Sequence, residues 1–156
     1  MTSITPRERR RLANGVKQAL RDASLELALL NHQMGAKLNL RDADFDCLNL
    51  LHRHGPLGPG ALAKLAGLHP ATMTGVLDRL EKAGFVTRDR DPGDRRAVVV
   101  RTSAERGREV LGLYAGMNDA MDEVCAGYSA GELAVITEFL QRTAAAGRGA
   151  TDQLAG

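Results

Sequence analysis

Apolar side chains recur at spacings of three and four along the first forty residues, which is the repeat of one face of an α-helix. The stripe consists of Leu12, Val16, Leu20, Ala23, Leu27, Leu30 and Met34. The segment Thr5-Pro6-Arg7-Glu8 predicts the helix start, with Thr as N-cap and Glu at the capping-box position, and Gly35 is predicted to end the helix. Because a helix this long is hard to bury against a small domain, we expect part of its stripe to contact another chain. A helix lying across its own domain is the alternative.

The middle of the chain carries three shorter apolar repeats separated by glycine and proline. Helices are predicted over about Asp42–His54, after Pro59, and from Pro70 to a left-handed residue at Gly84. In the first two of these helices, the residues predicted to face inward are Phe45, Leu48, Leu51, Leu62 and Leu65. The Gly55-Pro56 step ends the first of the three, because proline cannot continue a helix.

Two short strands are predicted next, over Phe85–Arg88 and Ala97–Arg101, on either side of a charged loop. Helical spacing then resumes, with Thr102 and Glu105 predicted to form one capping box and Ser129 with Glu132 another. The stripes of these last two helices are Val110, Tyr114, Met117, Met121 and Val124, and then Leu133, Ile136 and Leu140.

This order of elements predicts a mainly α fold with a small β-hairpin wing, the layout of a winged helix-turn-helix with long terminal helices. We divide the chain into an N-terminal dimerisation helix (1–36), a winged helix-turn-helix lobe (40–102) and C-terminal dimerisation helices (103–146). The closing segment, 147–156, is small and polar and is predicted to be frayed.

Composition adds that the core is built from Leu, Val, Ala and Met, because only 3% of the 156 residues are aromatic and Trp is absent. A net charge of +2 means that any basic character is local. The chain starts without an apolar signal segment and carries no apolar run near the ~18 residues of a membrane span. We therefore expect a cytoplasmic protein with no membrane partner.

The outer face of the fourth helix is the first candidate for function. At about 100° per residue, Met73, Val76, Leu77 and Leu80 form its apolar face. Gly75 lies opposite, with Thr72, Thr74 and Arg79 on the flanks. Glycine inside a helix costs up to ~1 kcal/mol relative to alanine, yet it lets a backbone approach base edges in a major groove, where Thr hydroxyls also contact DNA. A plain surface helix with an indifferent glycine is the alternative.

The loop after the first strand is the second candidate, with four arginines and three aspartates among residues 88–96. Arginine suits phosphates and narrow minor grooves, which makes Arg90, Arg95 and Arg96 candidate DNA contacts. Asp94 or Asp91 is predicted to brace a neighbouring arginine or the tight turn. The alternative is a solvated hairpin with surface ion pairs worth about 0–1 kcal/mol each.

Together these segments resemble the core of the MarR (multiple-antibiotic-resistance regulator) family. Its pattern has a Thr- and Ser-rich helix before "DRLE..G.V.R" and then "D..DRR" in a wing, matched here by Asp78-Arg79-Leu80-Glu81, Gly84, Val86, Arg88, Asp91 and Asp94-Arg95-Arg96. The resemblance implies a homodimeric transcription regulator, most often a repressor, that binds a pseudo-palindromic operator in double-stranded DNA. The fourth helix would read the major groove and the wing would enter the adjacent minor groove.

The resemblance also implies a small effector, often phenolic or lipophilic, between the dimer helices and the DNA-binding lobe. Near that junction the candidate pocket residues are His32, Met34, Phe45 and Leu48. Gly75 departs from the pattern, since many members carry arginine or another polar side chain there. A dimeric protein-interaction module that has lost DNA binding is therefore the alternative function.

Other chemistry has little support in the sequence. The four histidines lack the i, i+4 spacing of helical metal ligands, and no cofactor or metal is expected. Cys47 and Cys125 lie far apart without a CxxC motif, and Cys47 is predicted to be a core residue. No nucleophile–base set is found, and "GPLGPG" lacks the Lys-Ser/Thr ending of a phosphate loop, so no catalytic residue is predicted.

Overall fold

The computed structural model describes residues 4–156, which form six helices and one two-stranded sheet. The helices are α1 (Pro6–Lys37), α2 (Asp42–His54), α3 (Pro59–Ala66), α4 (Pro70–Lys82), α5 (Ala104–Ala126) and α6 (Ala130–Ala155). The strands β1 (Val86–Arg90) and β2 (Val98–Thr102) pair antiparallel, with Val86 opposite Thr102. The predicted mainly α fold with a hairpin wing is confirmed. The first three residues of the predicted N-terminal segment lie outside the described residues.

The hydrophobic core lies in the lobe made by α2, α3, α4 and the hairpin. Its fully buried side chains include Phe45, Leu48, Leu51, Leu62, Met73, Leu77, Leu80, Phe85 and Val100. An isolated β-bridge between Leu57 and Val100 ties the segment before α3 to the hairpin, with Val100 N donating to the Leu57 carbonyl at 2.7 Å. The apolar face predicted for α4 is buried as a whole. Leu65 is a correction: it was predicted to face inward, and it is 47% exposed at the solvent side of α3.

Helix ends follow the predicted capping residues in most places. The Thr5 hydroxyl accepts from Glu8 N at 3.2 Å, Gly84 has a left-handed φ of 81°, and Ser129 with Glu132 forms a reciprocal capping box. The cap of α5 is a correction, because Ser103 and not Thr102 accepts from Arg106 N. Thr102 is instead the last residue of β2, where the register pairs it with Val86.

Gly35 lies inside α1 and does not end it, which corrects the predicted boundary. The glycine is buried, and a Cβ on it would lie 3.4 Å from the Leu40 carbonyl oxygen and 3.5 Å from Phe45 Cβ. The glycine therefore lies at a packing contact, where a Cβ would just touch Leu40 and Phe45, and α1 continues past it to Lys37. Asn39, with a φ of 56°, then turns the chain.

The terminal helices bury almost none of their residues. No residue of α6 is buried, α1 buries only Met34 and Gly35, and α5 buries only Gly107 and Val110. The segment 147–156 does not match its prediction, because it continues α6 to Ala155. No proline interrupts it, and the Thr151 hydroxyl donates to the Gly147 carbonyl at 3.0 Å within the helix.

Candidate nucleic-acid interface

The outer face of α4 stands clear of the lobe, as predicted from its repeat. Ala71, Thr72, Thr74 and Asp78 are exposed, and Gly75 is half-buried. The Thr74 hydroxyl donates to the Pro70 carbonyl at 3.1 Å, which leaves its methyl group and its oxygen lone pairs for a partner. The N-terminal half of α4 therefore presents small residues and hydroxyls to solvent.

Arg79 is held by a partner that the sequence did not reveal. Its Nε and Nη2 donate to the two carboxylate oxygens of Asp44, at 2.9 and 2.8 Å. Asp44 lies on α2 and is only 1% exposed, so this bidentate pair crosses from the lobe interior to the edge of α4. The carboxylate raises the pKa of the Arg79 guanidinium, chiefly through the hydrogen bond. An acidic residue directly before buried Phe45 was the available signal, since a buried charge needs a partner.

Gly75 lies directly beside that guanidinium. A Cβ added to Gly75 would come within 3.4 Å of Arg79 Nη1, and no other heavy atom outside the helix backbone lies within 4 Å of it. Arg79 thus covers Gly75, which explains why this residue is half-buried on a face that is otherwise open.

Arg88 joins the wing to α4. Its Nη2 lies 2.8 Å from Asp78 Oδ1, and its Nε and Nη2 donate to Glu81 at 3.2 and 3.1 Å. The hydrogen bond from Arg88 lowers the pKa of Glu81. The three residues were visible in the sequence as parts of the "DRLE..G.V.R" pattern, but only the fold brings β1 against the C-terminal half of α4.

The wing turn is braced by aspartates. Asp94 Oδ1 accepts from Arg96 N at 3.0 Å, and Asp91 Oδ1 accepts from Gly93 N at 2.8 Å. The loop closes on itself as well, because Ala97 N donates to the Asp94 carbonyl at 3.0 Å. Both aspartates therefore contact the tight turn through backbone N–H groups rather than through an arginine side chain.

The three candidate arginines of the wing differ in their surroundings. Arg90 Nη1 donates to the Arg95 carbonyl at 2.9 Å, so its guanidinium lies across the loop. Arg95 and Arg96 are exposed at the far end of the hairpin. The wing therefore carries two outward arginines on a turn held by backbone hydrogen bonds and by Arg90.

Of the four candidate effector residues, two line a cleft and two do not. His32 and Phe45 line a cleft of about 190 Å³ together with Ala28, Asn31, Asp42 and Asp46. His32 Nδ1 lies 2.8 Å from Asp42 Oδ1, which joins α1 to the start of α2. Burial, and then the charge of Asp42, raise the pKa of Asp46. Met34 and Leu48 are packed in the hydrophobic core, 3% and 2% exposed, and do not line the cleft.

The cysteines do not form a redox pair within the described chain. Cys47 is fully buried, and burial raises its pKa to about 11, with smaller contributions from the carboxylates of Asp46 and Asp44. A thiol in such surroundings is held in its unreactive form. Cys47 is a packing residue, as its place in α2 predicts.

Comparison with known proteins bears on the identity of this lobe. The MarR family profile matches residues 40–98, which span α2 through the start of β2. The chain is 34% identical over 117 residues to the HTH-type transcriptional regulator YcgE of Bacillus subtilis, covering 74% of this chain and 76% of that protein. It is 30% identical over 128 residues to the HTH-type transcriptional repressor NicR of Pseudomonas putida, covering 81% and 80%.

The chain belongs to the MarR family. The structure of a MarR family protein from Bacillus stearothermophilus superposes with a TM-score of 0.68, over 90% of this chain and 96% of that one at 21% identity, and so shares the fold. MarR family proteins are transcription regulators and not enzymes, and this chain is one of them.

Across residues 4–156, no helix is both long and apolar enough to span a membrane.

Within the MarR pattern, the structure separates two kinds of residue. Asp78, Glu81 and Arg88 fix the wing on α4, and Arg79 fixes α4 on α2. Thr72, Arg95 and Arg96 are exposed and carry no such structural ion pair among the described residues. One part of the motif therefore holds the lobe together, and Thr72, Arg95 and Arg96 are free of those contacts and available to a partner.

Proposed function

We propose that this MarR family protein is a homodimeric repressor that binds a pseudo-palindromic operator and is released by a small effector. The observation that carries the proposal is the combination on one lobe of an open α4 face of hydroxyls and small residues with a braced wing that ends in Arg95 and Arg96. A helix with such a face fits a major groove, and arginines fit the phosphates and the minor groove beside it.

Dimer formation is supported by the terminal helices. Their exposed apolar side chains include Leu12, Val16, Leu27, Met121, Val124, Val135, Phe139 and Leu140. Many exposed apolar side chains on long helices are typical of a protein–protein interface. A two-fold dimer would place two α4 helices in successive major grooves, about one helical turn or ~34 Å apart.

A gel-shift titration on the DNA immediately upstream of the gene tests the DNA-binding proposal. We expect the wild-type protein to shift this duplex and the double variant R95A/R96A to shift it at least about tenfold more weakly. The matched control is Arg148→Ala, an exposed arginine of α6 far along the chain from the wing, which should bind like the wild type. A stable dimer that shifts no duplex would instead support the interaction-module alternative, for which the departure at Gly75 is the motivating feature.

The cleft beside α1 supports a particular class of effector. Phe45 lines the cleft as a buried apolar residue, 1% exposed, while His32 and Asp42 offer exposed hydrogen-bonding groups. Because Asp42 and Asp46 both line the cleft, a neutral phenol fits it better than a carboxylate-bearing aromatic acid. Titrating phenols with and without a carboxyl group into the protein–DNA complex tests this choice. Release by the acids alone, or equal release from a His32→Ala variant, would contradict it.

A further inference from the structure

The bidentate contact between Arg79 and Asp44 fixes more than one end of the arginine. Two of the three guanidinium nitrogens, Nε and Nη2, donate to a carboxylate that is itself 1% exposed. Because the guanidinium is planar and rigid, fixing two nitrogens also fixes the position of the third. The place of Nη1 is therefore fixed as well.

That place is the outer face of α4. Nη1 lies 3.4 Å from the position of a Cβ on Gly75, one helical turn before Arg79. Side chains in helices lean toward the N-terminus, so Arg79 lies back along α4 toward the half of the helix that carries Thr72 and Thr74. The Arg79 side chain remains 39% exposed although its inner edge is fully engaged.

We infer that Asp44 is a positioning residue for DNA binding and that Gly75 supplies the space in which Arg79 Nη1 is presented to an acceptor atom of DNA. The inference rests on the proposed function and deepens it. A guanidinium held in place before binding loses less conformational freedom on binding than a free one. It also gives the helix-interior glycine a use that differs from close backbone approach to the bases.

The two uses of Gly75 predict different results in a double-mutant cycle. Gly75→Ala puts a methyl group in contact with Nη1, 3.4 Å away, and so fills the space beside it; we expect operator affinity to fall about tenfold, the size of one good arginine contact. The melting temperature should stay the same or rise, because alanine is the better helix former. Gly149→Ala, at an exposed glycine of α6 where a Cβ would meet no atom outside the adjacent helix backbone within 4 Å, is the control and should leave affinity unchanged.

The second arm of the cycle is Arg79→Lys. A lysine ammonium still pairs with Asp44, so the fold is kept, but it has no second nitrogen to place over Gly75. In this background Gly75→Ala should change affinity by less than about twofold, within the range of independent small effects. A tenfold loss in both backgrounds would overturn the inference, because Gly75 would then act by letting the helix backbone approach the bases, independently of Arg79.

Asp44→Asn tests the positioning residue directly. Asparagine keeps the shape and one acceptor but loses the charge that holds both nitrogens, so affinity should fall while the circular dichroism spectrum stays that of the wild type. Unchanged affinity in this variant would contradict a positioning role for Asp44.

The probe for all variants is a duplex recovered by the wild-type protein from a randomised DNA pool. If the wild-type protein enriches no sequence, the proposed function is wrong. If it enriches a sequence but the effects of Gly75→Ala and Arg79→Lys are additive, only the present inference is wrong.

Discussion

The lobe of α2, α3, α4 and the hairpin differs from the terminal helices in where its apolar side chains go. In the lobe, the large apolar residues are inside, and within the described chain only Leu65 and Val98 of that lobe are among the exposed ones. In α6, none of the 26 residues is buried, although Val135, Phe139 and Leu140 are strongly apolar. Burial of apolar surface is the main favourable contribution to folding. The lobe therefore gains stability from its own core, whereas the terminal helices leave most of their apolar side chains exposed in the single chain.

The difference also separates two tasks. The surface of the lobe is mostly polar, small or charged, which suits DNA, whereas the terminal helices also expose many large apolar side chains, which suit a second copy of the chain. If the division is correct, variants in one region should change one property and leave the other nearly intact.

Removing residues 1–30 is expected to have the largest effect. The deletion takes away most of the α1 stripe but keeps Met34 and Leu38, which belong to the core of the lobe. We expect aggregation, or a monomer with poor operator binding, in sedimentation-velocity and gel-shift measurements. A well-folded, tight dimer after this deletion would show that α1 is not part of the interface.

One substitution in each region tests the comparison further. Leu80→Ala removes a fully buried side chain of the lobe and should lower the free energy of unfolding by about 2–5 kcal/mol, with little change in the dimer dissociation constant. Phe139→Asp changes a residue that is 43% exposed in the single chain, so it should weaken the dimer by at least about tenfold, since it places an unpaired charge in an apolar interface. Urea unfolding and sedimentation equilibrium separate the two effects. A Phe139→Asp protein that dimerises normally would exclude this face of α6.

Arg95→Ala should have a smaller and purely electrostatic effect. Loss of one phosphate contact per chain should reduce the slope of log K against log salt by about 0.9 per site, so by roughly 1.8 for a symmetric dimer. Specific and non-specific duplexes should be weakened alike, because a phosphate contact carries no sequence information. An unchanged salt slope would mean that Arg95 does not contact phosphate.

Asp94→Ala should have the smallest effect and the most informative sign. The variant raises the net charge, so simple electrostatics predicts tighter DNA binding. Because Asp94 Oδ1 accepts from Arg96 N at 3.0 Å, we expect weaker binding, by up to about tenfold, from a loosened turn. A salt series decides the sign, and tighter binding at every salt concentration would contradict the bracing role.

The sequence predicted the frame well because its signals are local. Repeats of three and four placed the helices, Gly84 and Ser129 marked two of their ends, and the apolar face of α4 was identified residue by residue. Local signals also produced the errors. Gly35 resembles a helix stop, yet it is a point of close packing, which depends on where α2 lies.

The residue types of the site could be predicted from the sequence, but the contacts between them could not. The charged wing and the small residues of α4 are visible in the sequence. The partners of Arg79 and Arg88 are not, because Asp44 lies 35 residues from Arg79 and meets it only after α2 and α4 pack. Burial depends on packing in the same way: Met34 and Leu48, both predicted to line an effector pocket, are buried in the core and do not line the cleft beside His32.

The composition of the protein–DNA complex tests the central claim most directly. Native mass spectrometry of the protein with its selected duplex gives the number of chains bound, and the enriched sequences give the half-site spacing. Two chains per duplex are expected, on two half-sites related by two-fold symmetry and centred about 10 base pairs apart. One chain on an asymmetric site would contradict the division of the molecule into a DNA-binding lobe and dimerising terminal helices.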